Sequence, residues 1–102
     1  MTKILIVDDS ATVRKLLIHT LKPKHYTCIE ACDGFDALEK LALNPDIKLI
    51  ISDLNMPNMD GIELIANIRQ NPQYKDLPII MLTTEASQNN RKLAFDAGAN
   101  LY

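Results

Sequence analysis

Four short apolar runs punctuate this chain, and each gives way to polar residues at its carboxyl end. Residues 3–7 (KILIV) run into Asp8-Asp9-Ser10, residues 26–32 (YTCIEAC) into Asp33-Gly34, residues 49–51 into Ser52 and Asp53, and residues 77–82 (LPIIML) into Thr83-Thr84-Glu85. Continuous apolar runs bounded by turn residues read as strands buried on both faces, as in a parallel sheet covered by helices. Between the runs the apolar spacing switches to the helical period. Val13, Leu16, Leu17 and Leu21 form the inner stripe of a first helix, capped by Ser10 and stopped at Lys22-Pro23. Ile18 flanks that stripe as an apolar edge, and His19 lies opposite it in solvent. Ala37, Leu38, Leu41 and Ala42 line a second helix, opened by Asp33-Gly34 and closed by Asn44-Pro45. The third, residues 61–70, turns Ile62, Ile65 and Ile68 inward with Leu64 beside them, and Asn71-Pro72 ends it. The fourth, residues 87–97, packs Leu93 and Ala94, with Gly98 suited to its C-cap; residues 99–102 then begin an extended segment.

Strict alternation of strand and helix predicts parallel strands joined by right-handed crossovers, hence an α/β three-layer sandwich. With 102 residues, 47% hydrophobic and 24% charged, the chain fits one domain over residues 1–102 and leaves no room for a second. A formal charge of −2 supplies no basic stripe for a phosphate backbone; Lys22, Lys24 and His25 make only a small local cluster, so direct nucleic-acid binding is not expected. The amino-terminal apolar run is too short for a membrane span or signal peptide and is followed at once by two acids, which sets the expected location as cytoplasmic. Cys28 and Cys32, four apart on one strand, sit roughly 13 Å from each other, beyond disulfide reach, and read as two small buried thiols.

The candidate chemistry lies where strands end. In a flavodoxin-like strand order of 2-1-3-4-5, the first and third strands are neighbours, so Asp8, Asp9 and Asp53 converge at the point where the crossovers diverge. Like charges that close raise each other's pKa unless a cation neutralises them. An all-oxygen donor set favours Mg²⁺, with Asn55 placed to add a backbone carbonyl. A carboxylate beside such an ion suits acyl-phosphate formation, Asp53 attacking in line and Thr83 donating its hydroxyl to a phosphoryl oxygen. Taken singly, each motif has a plainer reading: Asp8-Asp9 as a helix cap, Thr83-Thr84 as an idle loop, Asp60-Gly61 as turn chemistry. Their joint placement at successive strand ends is the sharper signal.

KILIVDDS, DLNMPNMDG, PIIMLTTE and AFDAGANLY, in that order along the whole chain, resemble the receiver domain of two-component response regulators, especially the stand-alone chemotaxis type. The resemblance implies that Asp53 is the phosphorylated aspartate, that Asp8 and Asp9 hold Mg²⁺ with the Asn55 carbonyl, that Thr83 is a switch hydroxyl and that Tyr102 is an aromatic switch on strand five. It also implies a histidine kinase or phosphotransfer protein as donor, and a downstream protein target such as a chemotaxis or flagellar motor component. The family carries a lysine a few residues beyond the aromatic and then a last helix; in this sequence, which stops at Tyr102, strand five is expected to be incomplete and the helix missing. Loss of one such electrostatic donor typically costs about 10²–10³ in rate. The uncovered flank is expected to expose apolar surface and an unpaired edge, favouring self-association.

Two other readings remain at this point. One is a receiver-like scaffold or fragment that no longer signals. The other is a small aspartate-nucleophile phosphatase acting on other molecules, which needs a second acid where Asn55 stands. Flavin binding fits the fold but not two acids in the first strand-to-helix loop, where a cofactor phosphate needs amides and hydroxyls.

Overall fold

The computed structural model describes residues 2–82 and 88–102. Its elements in chain order are β1 (Lys3–Val7), α1 (Ala11–Leu21), β2 (Thr27–Ala31), α2 (Gly34–Leu43), β3 (Ile47–Asp53), α3 (Gly61–Gln70), β4 (Ile79–Leu82) and α4 (Gln88–Ala97). All strand pairs are parallel and the order is β2-β1-β3-β4, the expected flavodoxin-like arrangement. Residues 99–101 extend along the outer side of β4: the N–H of Asn100 donates to the Ile79 carbonyl at 2.9 Å and that of Met81 to the Leu101 carbonyl at 3.0 Å. The edge of β4 is thus paired there, while Leu82 and Leu101 remain exposed.

Alternation along the strands sorts the core into two layers. Leu5, Val7, Ile50, Ile79 and Met81 face α2, α3 and α4, whereas Ile4, Ile6 and Ile51 face α1. In the first three helices the inward positions follow one rule, i, i+3, i+4, i+7. They are 14, 17, 18 and 21 in α1; 34, 37, 38 and 41 in α2; and 61, 64, 65 and 68 in α3.

That rule corrects several side-chain assignments. In α1, Val13 and Leu16 are exposed and Ile18 packs inward with Leu17 and Leu21, because Arg14 rather than Val13 occupies the first inner position. Leu64 is fully buried while Ile62 is only partly so, and Ala42 is exposed, one step past the inner row of α2. In α4, Ala94 is buried and Leu93 points out, since small side chains let this helix approach α3 closely. β2 ends at Ala31, so Cys32 lies beyond the strand in solvent and Cys28 is half-buried; neither thiol is fully buried as expected.

Chain punctuation does what the residue types dictate. Ser10, Asp33 and Asp60 each cap a helix by accepting an N–H three residues on, and Gly98, at φ 120°, ends α4 with its N–H on the Ala94 and Phe95 carbonyls. No helix among the described residues is long and apolar enough to cross a membrane. The layer assignment predicts that Ile65→Ala costs about 2–5 kcal/mol whereas Leu16→Ala stays within about 0.5 kcal/mol. Urea unfolding of the two variants measures both.

Candidate functional site

Register decides where the acids go. Val7 of β1 lies opposite Ser52 of β3, so the next residues, Asp8 just past β1 and Asp53 at the last rung of β3, come side by side. One carboxylate oxygen from each of Asp8, Asp9 and Asp53 lies within 4.8 Å of the other two. Asp8 is buried, Asp53 partly so and Asp9 exposed, which makes a shallow acidic bowl at the carboxyl edge of the sheet.

Local hydrogen bonds hold this bowl in shape. The Asp8 N–H donates to Ala31 on β2 at 3.1 Å, and its Oδ1 accepts the Ser10 N–H at 2.8 Å. Arg14, one turn into α1, donates from Nη1 to the Asp8 carbonyl and from Nε to Glu30 Oε1 at 3.0 Å. Lys15 joins the same Glu30 at 2.9 Å. On the other side, Asp53 Oδ1 accepts the Leu54 N–H at 2.8 Å, and the Asn55 N–H also favours its ionised form. The Leu54 carbonyl accepts the Gly61 N–H at 2.8 Å, folding the loop back so closely that a Cβ at Gly61 would collide with the Asp53 carbonyl. Asn58, with φ 70°, sends its side-chain amide to Asp33 at 3.2 Å, tying this loop to the cap of α2.

Electrostatics inside the bowl are unfavourable when it holds only protein. Burial pushes the Asp8 carboxyl above its usual range; the Ser10 N–H and Arg14 pull it back, and Asp9 adds repulsion. Asp53 is raised by burial first and by the Asp8 charge second, against the pull of its two backbone donors. The donor set is carboxylate oxygen alone, with no histidine or cysteine in the cluster. Hard oxygen ligands, excess negative charge and an open side fit a small divalent cation such as Mg²⁺, which keeps several waters.

Among the residues singled out from sequence, Asp8, Asp9 and Asp53 come together, and Asn55 follows in the loop with its N–H toward Asp53. Thr83 lies outside the described residues. Tyr102 sits past the Leu101 bridge, partly buried, with its ring 6.4 Å from that of Phe95 on α4. Arg91 lies over the same Phe95 ring at 5.7 Å. Sequence reasoning missed Arg14, whose spacing from Asp8 carries no motif, and treated Gly61 only as a turn residue although its lack of a Cβ admits the Asp53 carbonyl.

Residues 4–102 match the response regulator receiver domain family. Chemotaxis protein CheY1 of Helicobacter pylori is 43% identical over 101 residues, 98% of this chain and 82% of that protein. The solved structure of chemotaxis protein CheY4 of Vibrio cholerae superposes with a TM-score of 0.93 at 42% identity, over 99% of this chain and 83% of that one. The phosphorylated cyanobacterial phytochrome response regulator RcpA superposes with a TM-score of 0.91 at 28% identity, over 99% of this chain and 78% of that one.

Because Asp8 and Asp53 have raised values, the folded state resists their ionisation; that cost is present at neutral pH and is relieved as pH falls through the raised values. Glu30, held low first by its Lys15 hydrogen bond, behaves oppositely: its contribution is lost only as pH falls through its lowered value. Without divalent cation, Asp53→Asn therefore melts higher than the wild type at pH 7, by about 4–8 °C for each kcal/mol of repulsion relieved. That gap narrows on acidification toward pH ~4, the ordinary carboxylate range. Thermal melts of both proteins across pH in EDTA check the sign.

Proposed function

Because this chain belongs to the response regulator receiver domain family, we propose that it takes a phosphoryl group onto Asp53 from a histidine kinase or phosphotransfer protein. The observation that carries this reading is the meeting of the Asp8, Asp9 and Asp53 carboxylates within 4.8 Å at the ends of β1 and β3. An Asp53 carboxylate oxygen attacks phosphorus, the bond from phosphorus to the donor's imidazole nitrogen breaks, and the imidazole leaves with the electron pair and takes a proton from water. The Leu54 and Asn55 N–H groups orient the attacking carboxylate. Asp8, Asp9 and Asp53, with the Asn55 carbonyl, are the groups that would hold Mg²⁺. A bound Mg²⁺ supplies positive charge to the phosphoryl oxygens. The reaction changes the protein itself, so residues 1–102 act as a phospho-accepting signalling unit that promotes only its own phosphorylation and dephosphorylation.

Thr83 takes the role of hydroxyl donor to the phosphoryl group, and Tyr102 that of the aromatic that responds to it. In support, Tyr102 packs on Phe95, and exposed Leu82 and Leu101 lie at the same edge of β4, so a change of its rotamer alters an apolar face that a partner can read. CheY1 of Helicobacter pylori is a chemotaxis protein, which favours a chemotaxis or flagellar motor component as target and the cytoplasm as the site of action.

Incubation with acetyl phosphate and Mg²⁺ tests the assignment by intact-mass spectrometry. The wild type gains about 80 Da, one phosphoryl group on the carboxylate nucleophile; Asp53→Asn gains nothing, and EDTA abolishes the gain. An unmodified wild type marks a receiver-like scaffold instead.

A further inference from the structure

Apart from the acidic bowl, the densest set of side-chain hydrogen bonds among the described residues centres on Arg69, in the last turn of α3. Its guanidinium reaches two separate segments. Nη1 donates to the Tyr74 carbonyl at 2.7 Å and the Lys75 carbonyl at 3.3 Å, in the turn before β4. Nε and Nη2 fork onto the Gly98 carbonyl at 3.1 and 2.8 Å, just past α4. Nη2 also donates to Asn100 Oδ1 at 3.0 Å, and that oxygen accepts the Ile79 N–H at 2.9 Å. All three guanidinium nitrogens are thus engaged, and the Asn100 amide oxygen relays the contact to the first residue of β4.

The approach is close enough to fix a residue type. A Cβ on Gly98 would meet Arg69 Cγ at 2.8 Å, and φ there is 120°, so both the space and the backbone require glycine. Carbonyls at the end of a helix lack intrahelical partners and favour a cation. A planar fork supplies paired, directed donors where a lysine offers one point charge. Two residues beyond Asn100 the chain reaches Tyr102, whose ring lies against Phe95 of the same α4.

We propose that Arg69 is a positioning residue: its fork on Gly98 and Asn100 locks the end of α4 and residues 98–101 onto β4 and so seats Tyr102 against Phe95. The static part of this statement stands alone. Its functional part, that Tyr102 responds to Asp53 only while so seated, rests on the phospho-acceptor reading above.

The test compares wild type, Arg69→Ala, Arg69→Lys, Asn100→Ala and Asn100→Asp by NMR, with Mg²⁺ and with or without acetyl phosphate, alongside intact mass. Expected in Arg69→Ala is amide exchange at residues 98–101 at least about tenfold faster, loss of the Phe95–Tyr102 ring contact, and loss of the Tyr102 shift on phosphorylation. The mass gain at Asp53 and the exchange at Ile50 and Leu54 stay at wild-type levels, which separates local seating from general destabilisation. Lysine does not rescue; Asn100→Asp, which keeps an oxygen acceptor, does, and Asn100→Ala does not. Wild-type behaviour of Arg69→Lys, or a preserved ring contact in Arg69→Ala, overturns the proposal. Should Arg69→Ala not fold, equal exchange at 98–101 in the two Asn100 variants overturns it and the expected difference sustains it. A wild type that gains no mass contradicts the phospho-acceptor reading, while exchange and ring contact still decide the role of Arg69.

Discussion

The pairing of β1 with β3 is the constraint on which the rest of this molecule depends. Two strands that are not consecutive in the chain lie side by side, with Leu5 opposite Ile50 and Val7 opposite Ser52. Apolar burial on both faces fixes that register, because a one-residue slip of β1 against β3 would turn Leu5 and Val7 toward the α1 layer and Ile4 and Ile6 toward the other three helices. The same pairing that satisfies the core also drives three carboxylates together at the next step of the chain. Stability and chemistry therefore pull in opposite directions at one rung of the sheet, and a bound divalent cation would reconcile them.

The surroundings hold the acids in place despite that repulsion. Arg14 spans from α1 to the Asp8 carbonyl and to Glu30 on β2, so the loop bearing both acids is tied to two elements. Gly61 lets the loop after Asp53 fold back until its N–H meets Leu54. Gly34 does similar service for the α2 cap, since a Cβ there would meet Met59 Sδ at 2.6 Å. These are close backbone approaches bought with missing side chains, beside an Asp53 carboxylate held by the Leu54 and Asn55 main-chain donors.

How much of this was legible in the sequence follows from which signals are redundant. β1 and the later part of β3 were plain because both their faces are buried, so no phase had to be chosen. The cap at Ser10 and the turns at Asp33-Gly34 and Asp60-Gly61 marked where helices begin, although Asp33 and Asp60 prove to be caps, and the strand order placed Asp8, Asp9 and Asp53 together as expected. Helix phase was harder. In α1, apolar residues at 13, 16, 17, 18 and 21 allow two stripes, and the true one begins at Arg14, whose aliphatic stem lies inward while its guanidinium reaches Asp8 and Glu30. In α4, Leu93 looked like core, but close approach to α3 selects Ala94. Cys32 read as buried only because β2 was drawn one residue too long. The Arg69 fork left no trace in the sequence at all, since its partners are mostly backbone carbonyls 5 to 31 residues away.

That strand register builds an ion site is tested most directly by a paramagnetic stand-in for Mg²⁺. Amide NMR spectra recorded during titration with Mn²⁺ should show selective line broadening at residues 8–10 and 53–55, relieved by excess Mg²⁺ and absent from Asp8→Asn. Broadening centred elsewhere on the molecule, or none at these residues, would contradict it.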